Sequence, residues 1–341
     1  MRASSGFRVA TVAVGLSFAA ALTLTACSSE TSSDGALTVV ASTNVWGSVA
    51  QAVAGDKVEV SSIITEPSSD PHSFEASPTD AAKLTDASLI VYNGGGYDHF
   101  VDDIINTGNG EQLSVNAFEL FGAGAHAGET GHEGEEAGHE GEEAGHEGEE
   151  AGHAGEEAGH EGDVHEHGEV NEHVWYDVAT VDATAHAIAE KLGQLDPDNA
   201  DVYTANAETF HGRLAEITAV TDGIAAAHKD APIAQTEPIA HYLVESAALN
   251  DVTPADFTSA IENGNDPAPA AIAATRQLIT DKQVKAVVYN TQTQDKVTED
   301  VRATAEAAGV PVVEVTETLP EGLDYIQWQT NTAQALAKAL Q

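Results

Sequence analysis

The chain has 341 residues, of which 13 are Lys or Arg and 56 are Asp or Glu, for a formal net charge of −43. That balance excludes nucleic acid as a partner, because it repels a polyphosphate backbone. The single cysteine excludes an internal disulfide.

In chain order, the first residues read as an export signal. Arg2 and Arg8 lead into an uncharged apolar stretch over residues 9–26, which ends Leu24-Thr25-Ala26-Cys27. A lone cysteine directly after a Leu-x-small stretch is the layout of a bacterial lipoprotein signal, with cleavage before Cys27 and a diacylglycerol on its thiol. The competing readings are an ordinary signal peptide or an N-terminal transmembrane anchor. Residues 1–26 are therefore read as signal peptide, and residues 27–36 as a polar tether on the extracytoplasmic face of the cell membrane. No later stretch is apolar enough to span a bilayer.

A β-branched apolar run at residues 37–41 predicts a buried strand, followed by a helix over residues 45–54. Residues 58–64 read as a second strand. Ser77-Pro78 announces a short helix over residues 79–85. Residues 89–92 form a third strand, then Asn93-Gly94-Gly95-Gly96, then a helix over residues 100–105. Strands that alternate with helices predict a parallel sheet.

Between Gly122 and Glu169 the pattern stops. The unit Gly-His-Glu-Gly-Glu-Glu-Ala recurs, with His132, His139, His146, His153 and His160 seven residues apart and His126, His165 and His167 flanking them. With almost no apolar surface and many like charges, the segment cannot build a core. Its imidazoles and carboxylates do suit borderline divalent metals. Much of the negative charge sits here, so net charge says little about the folded surface.

Structure resumes at Val174-Trp175-Tyr176. Residues 178–192 read as a helix, and Asp196-Pro197-Asp198 as a break and new start. Residues 199–228 predict one long helix, able to cross a whole small domain. A strand follows at residues 232–235 and helices at 241–248 and 269–279. Strands at 284–289 and 310–315 then alternate with helices at 297–308 and 325–340. The expected fold is α/β: two lobes with mainly parallel sheets, residues 37–197 and 230–341, joined by a rigid helix over residues 198–229. Such sheets gather ligands at the carboxyl ends of their strands.

Three places bring metal-ligand chemistry to a strand end or turn. Asp70-Pro71-His72-Ser73-Phe74-Glu75 follows a strand, and Pro71 stiffens the turn. Asn171-Glu172-His173-Val174-Trp175 lies at the exit of the repeat. Thr236-Glu237-Pro238 follows the first strand of the second lobe. A metal held by all three sits in the cleft between lobes. Against this, His72 reads equally as a solvated turn residue, His173 as the last of the His-rich run, and Glu237 as a helix-start acid.

The stretch from Asp70-Pro-His-Ser-Phe-Glu to Asp80 resembles the first metal motif of the zinc and manganese substrate-binding proteins of bacterial ABC importers. Asn171-Glu-His-Val-Trp-Tyr-Asp177 resembles their second motif, and a His-rich acidic insertion between the two is a feature of the zinc-uptake members. The resemblance runs from about Leu37 to the C-terminus. It implies a two-lobed carrier on a rigid helical spine, with His72 and His173 as first-lobe ligands. Glu237 falls where zinc members often have His and manganese members have Glu. The fourth ligand it implies is an acid in the loop after a late strand, placed at Asp295, with Asn290 at the family's acidic position and Gln292, Gln294 or water as alternatives. His241 is expected on the following helix.

The resemblance also implies the partners: the membrane permease and ATPase subunits of an importer, the membrane itself through the lipid on Cys27, and zinc as the carried ion, with manganese as the alternative. A monomer is expected. The eight array histidines are expected to form an accessory loop that captures or senses zinc, or else a plain solvated spacer. A zinc hydrolase is the rival class, since two His and one Glu also make a catalytic set. No His-Glu-x-x-His, no Gly-x-Ser-x-Gly and no phosphate-binding Gly-rich loop occurs. The chain is thus expected not to be an enzyme. A metal-dependent adhesin remains a further alternative.

Overall fold

The computed structural model describes residues 37–66, 71–108, 112–122 and 170–341. Cys27 with the signal peptide and tether, Asp70, and the histidines of the array (His126, His132, His139, His146, His153, His160, His165 and His167) lie outside the described residues.

The first lobe runs β1 (Thr38–Thr43), α1 (Asn44–Ala54), β2 (Glu59–Ile64), α2 (Pro78–Asp86), β3 (Leu89–Tyr92), α3 (His99–Thr107), β4 (Ser114–Asn116) and α4 (Ala117–Leu120), and resumes with α5 (Val178–Leu195). Helix α6 (Ala200–His228) follows. The second lobe runs β5 (Pro232–Gln235), α7 (His241–Ser246), β6 (Asn250–Asp251), α8 (Ala255–Glu262), α9 (Pro269–Thr280), β7 (Val287–Asn290), α10 (Lys296–Ala308), β8 (Val312–Val315) and α11 (Tyr325–Ala339).

Both sheets are parallel and share one order, β2-β1-β3-β4 and β6-β5-β7-β8. Strands of a parallel sheet are covered on both faces and must be apolar along their length. Every residue of β3 and of β7 is accordingly buried. Each sheet has its switch point between its first and third strands, and the carboxyl ends there are where a ligand binds. The edge strands β4 and β6 were not anticipated. They are three and two residues long, too short and polar to leave a pattern. Strands β7 and β8 begin at Val287 and Val312, later than the apolar runs suggest.

Helix α6 has 29 residues and spans about 43 Å at 1.5 Å per residue. Its buried residues Tyr203, Ala207, Phe210, Leu214, Ile217, Thr221 and Ile224 alternate in steps of four and three. They form one stripe along the whole helix. Gly212 and Gly223 sit in open space and do not break it. The stripe belongs to a single core cluster that includes Val39 and Ala41 of the first sheet and Ile233 and Val288 of the second. The two lobes are thus fused along α6, and the described residues form one compact unit. No helix among the described residues is long and apolar enough to cross a membrane.

Candidate metal centre

His72 sits on a single 3-10 turn, Pro71–Ser73, after β2. His173 caps another, Val174–Tyr176, which leads into α5. Their rings lie 5.7 Å apart, centroid to centroid, and His173 is buried. A nitrogen of each ring and a carboxylate oxygen of Glu172 lie within 4.8 Å of one another.

Each ring has one nitrogen committed to a partner behind it. His72 Nδ1 is 3.1 Å from Glu172 Oε1. His173 Nδ1 is 3.0 Å from Asn171 Oδ1, which also accepts from the His173 backbone N–H. Such partners fix the tautomer and direct Nε2 toward a metal. Consistent with this, His72 Nε2 faces Glu317 Oε2 at 3.7 Å.

The second lobe supplies carboxylates from its own switch point. Glu237 follows β5 in extended conformation. Asn290 ends β7, and its side-chain amide donates both to Glu237 Oε1 and to Glu317 Oε1. Glu317 lies just past β8 and is 1% exposed. Its backbone N–H donates to Gln292 Oε1 at 2.5 Å. Asn44, the first residue of α1, exchanges two hydrogen bonds with Leu319, and Tyr176 O–H donates to the Thr316 carbonyl. The loop carrying Glu317 is thereby tied to the first lobe.

Tyr97 completes the wall. Gly94, Gly95 and Gly96 all take positive φ, and a Cβ on Gly95 would come within 2.6 Å of the Phe118 ring. The loop closes through Asp98, whose carboxylate accepts the N–H groups of Asn93 and Gly94 at 2.7 and 2.8 Å. Burial pushes Asp98 up to about 6, against these hydrogen bonds. Tyr97 then packs on Trp175 with the rings tilted and their centroids 4.5 Å apart, meets the His72 ring edge-on at 4.8 Å, and donates to Glu317 Oε2 at 3.2 Å. Burial, with the Glu317 charge adding to it, raises the Tyr176 phenol well above its usual range.

The arrangement therefore brings together His72, His173 and Glu172, sets Glu317 beside His72, and links Glu237 to Glu317 through Asn290. It does not bring in Asp295. That carboxylate is exposed and caps α10, accepting the Thr298 N–H at 2.7 Å. It lines a cavity of about 260 Å³ together with His72, Gln292, Gln294, Glu262 and Asp266. Gln292 is occupied in holding the Glu317 loop. Asn290 is a bridge between carboxylates. His241 is exposed at the start of α7. Glu317 escaped the sequence reading, although it too follows a strand's carboxyl end, one strand later than expected.

Glu172, Glu237 and Glu317 are 4, 3 and 1% exposed. Three buried carboxylates repel one another, and a divalent cation shared with two imidazoles relieves that cost. Two imidazole nitrogens and two carboxylates suit Zn²⁺ at about 2.0–2.2 Å, and Mn²⁺ as a more oxygen-seeking ion.

The family described as "Zinc-uptake complex component A periplasmic" matches residues 39–339. The high-affinity zinc uptake system protein ZnuA of Yersinia pestis is 27% identical over 188 residues, covering 52% of this chain and 52% of that protein. The manganese ABC transporter substrate-binding lipoprotein PsaA of Streptococcus pneumoniae is 26% identical over 205 residues, covering 58% of this chain and 55% of that protein. The chain thus spans about half the length of the curated relatives it matches. Among solved structures, the periplasmic zinc binding protein TroA of Treponema pallidum superposes with a TM-score of 0.65 at 17% identity, over 90% of this chain and 99% of that one. A mutant of the laminin-binding adhesin Lmb of Streptococcus agalactiae gives 0.65 at 19% identity, over 89% and 100%. These likenesses establish the two-lobed fold.

Proposed function

Because the chain belongs to the family of periplasmic zinc-uptake complex components, we propose that it captures zinc between its lobes and delivers the ion to the permease of an ABC importer. One observation carries this reading: His72 and His173 cluster with Glu172, and Glu317 of the second lobe lies 3.7 Å from His72 Nε2 while Asn290 ties it to Glu237. His72, His173, Glu237 and Glu317 are the ligands of this proposal. Glu172 and Asn171 orient the two rings, and Asn290 holds the two glutamates in place. Glu317 replaces Asp295 as the fourth ligand.

ATP hydrolysis belongs to another subunit, and the chain itself is a carrier with no catalytic step. Residues 1–26 are cleaved and Cys27 is lipidated, with residues 27–36 as tether. The lobes are residues 37–197 and 230–341 on the spine 198–229, and the protein acts as a monomer. The His-rich segment, residues 122–169, is an accessory zinc-capturing loop outside the tight site. Because the core runs through α6 into both lobes, release opens the cleft modestly.

Manganese is the second reading, favoured by the glutamate pair Glu237 and Glu317 in place of a third imidazole. Competition of Zn²⁺ against Mn²⁺ for the first equivalent on the full chain decides between them. Zinc is expected to displace manganese, as the usual divalent order requires. Equal or tighter manganese binding contradicts the zinc assignment.

A further inference from the structure

Helices α5 and α6 carry a second group of ligand-type side chains that shares no residue with the cleft. Asp182 and His186 lie four apart on α5, and Glu208 and His211 three apart on α6. Each pair occupies one helix face, and the two faces meet. The rings of His186 and His211 are 6.2 Å apart.

The connections repeat the plan of the cleft. Asp182 alone holds Nδ1 of both rings: its backbone carbonyl lies 3.0 Å from His186 Nδ1, and its Oδ2 lies 2.9 Å from His211 Nδ1. Both tautomers are thereby set with Nε2 as the donor to a metal. His186 Nε2 is 3.4 Å from Glu208 Oε1. Two ligands of one tetrahedral zinc, each at about 2.1 Å, stand about 3.4 Å apart. That edge of the coordination shell already has the required length. The other Asp182 oxygen, Oδ1, is buried and lies 3.5 Å from His186 Nδ1, so one carboxylate spans both rings. The side chains of His211 and Glu208 are 60% and 63% exposed, so both can adjust about the His211 Nδ1–Asp182 contact with little packing in the way.

We propose that His186 Nε2, Glu208 and His211 Nε2 form a second divalent-cation site, for zinc, on the exposed face of the α5–α6 pair, with Asp182 orienting both imidazoles and water filling the fourth position. A surface ion-pair network of the same residues, with no metal role, contributes little to stability and predicts no linked response of the two histidines.

The test is a titration of the full-length chain with zinc chloride, followed by nitrogen-15 NMR of the imidazoles. His186 and His211 are assigned through His186→Gln and His211→Gln, and His72 and His173 serve as internal markers of the cleft. After the first equivalent has saturated the cleft, His186 and His211 are expected to shift together at micromolar zinc with one midpoint. His186→Gln should abolish the response of His211. Asp182→Asn should raise the midpoint about 10- to 100-fold, the usual cost of losing an orienting partner, while leaving the cleft titration unchanged. Responses only at millimolar zinc, or a His211 midpoint unaffected by His186→Gln, overturn the proposal and leave two independent surface histidines. Failure of the cleft reading would appear separately, in His72 and His173.

Discussion

The two lobes have the same strand order and parallel pairing, yet the loops at their switch points carry different chemistry. The first lobe presents imidazoles, His72 and His173, each backed by a partner on Nδ1. The second presents carboxylates, Glu237 and Glu317, cross-linked by one amide. The first lobe alone gathers His72, Glu172 and His173, and Glu317 brings the second lobe to the same imidazole. A cation held by the proposed set of His72, His173, Glu237 and Glu317 would join the two lobes.

The division can be broken from either side. The largest effect is expected on the imidazole side. His173→Ala removes a buried first-lobe donor and should weaken the first zinc equivalent by more than about 100-fold, beyond the range of orienting partners. Calorimetry with a competing chelator reads this directly.

A pH effect comes next, and belongs to the first lobe alone. Asp98 closes the loop that places Tyr97, and its folded value is raised from 3.8 to about 6. The folded protein thus binds its proton more tightly than the unfolded chain, so stability falls as pH rises. The contribution is complete below pH 3.8 and is lost as the pH climbs through about 6. Its span is about 3 kcal/mol, at 1.36 kcal/mol per unit. Asp98→Asn cannot titrate. The stability of the natural chain relative to this variant should therefore drop by about that much between pH 4 and 7, by urea unfolding with chelator present. A flat difference would show that Asp98 is not held protonated.

The smallest effect concerns the second lobe. Asn290→Ala leaves two buried carboxylates without their shared donor, which should cost about 1–3 kcal/mol in the metal-free protein. Saturating zinc should recover part of the loss, because the ion then neutralises the pair. Equal destabilisation with and without zinc would place Glu237 and Glu317 outside the ion's reach.

Legibility in the sequence followed how local each cause is. Strand β3 is a continuous apolar run and was readable. Strand β6, Asn250–Asp251, exists only because β5 pairs with it, which no local pattern announces. His72 and His173 stood out through a stiff Pro-containing turn and a distinctive motif. Glu317 did not, since Thr316-Glu317-Thr318 reads as a solvated loop. Its burial comes from Gln292, Asn44 and Tyr176, all distant in sequence. Asp295 drew attention as an acid past a strand. The Thr three residues later makes it a helix cap. The pair on α5 and α6 was invisible because its members become neighbours only when the two helices pack.

In the proposed site Glu317, and not Asp295, is the second lobe's contribution beside His72. The decisive measurement is the zinc dissociation constant of the first equivalent, by chelator competition, for full-length Glu317→Gln and Asp295→Ala side by side. Glu317→Gln is expected to weaken binding by more than about 100-fold, and Asp295→Ala to leave it within about two-fold, as for an exposed residue. A large loss for Asp295→Ala with little change for Glu317→Gln would contradict it.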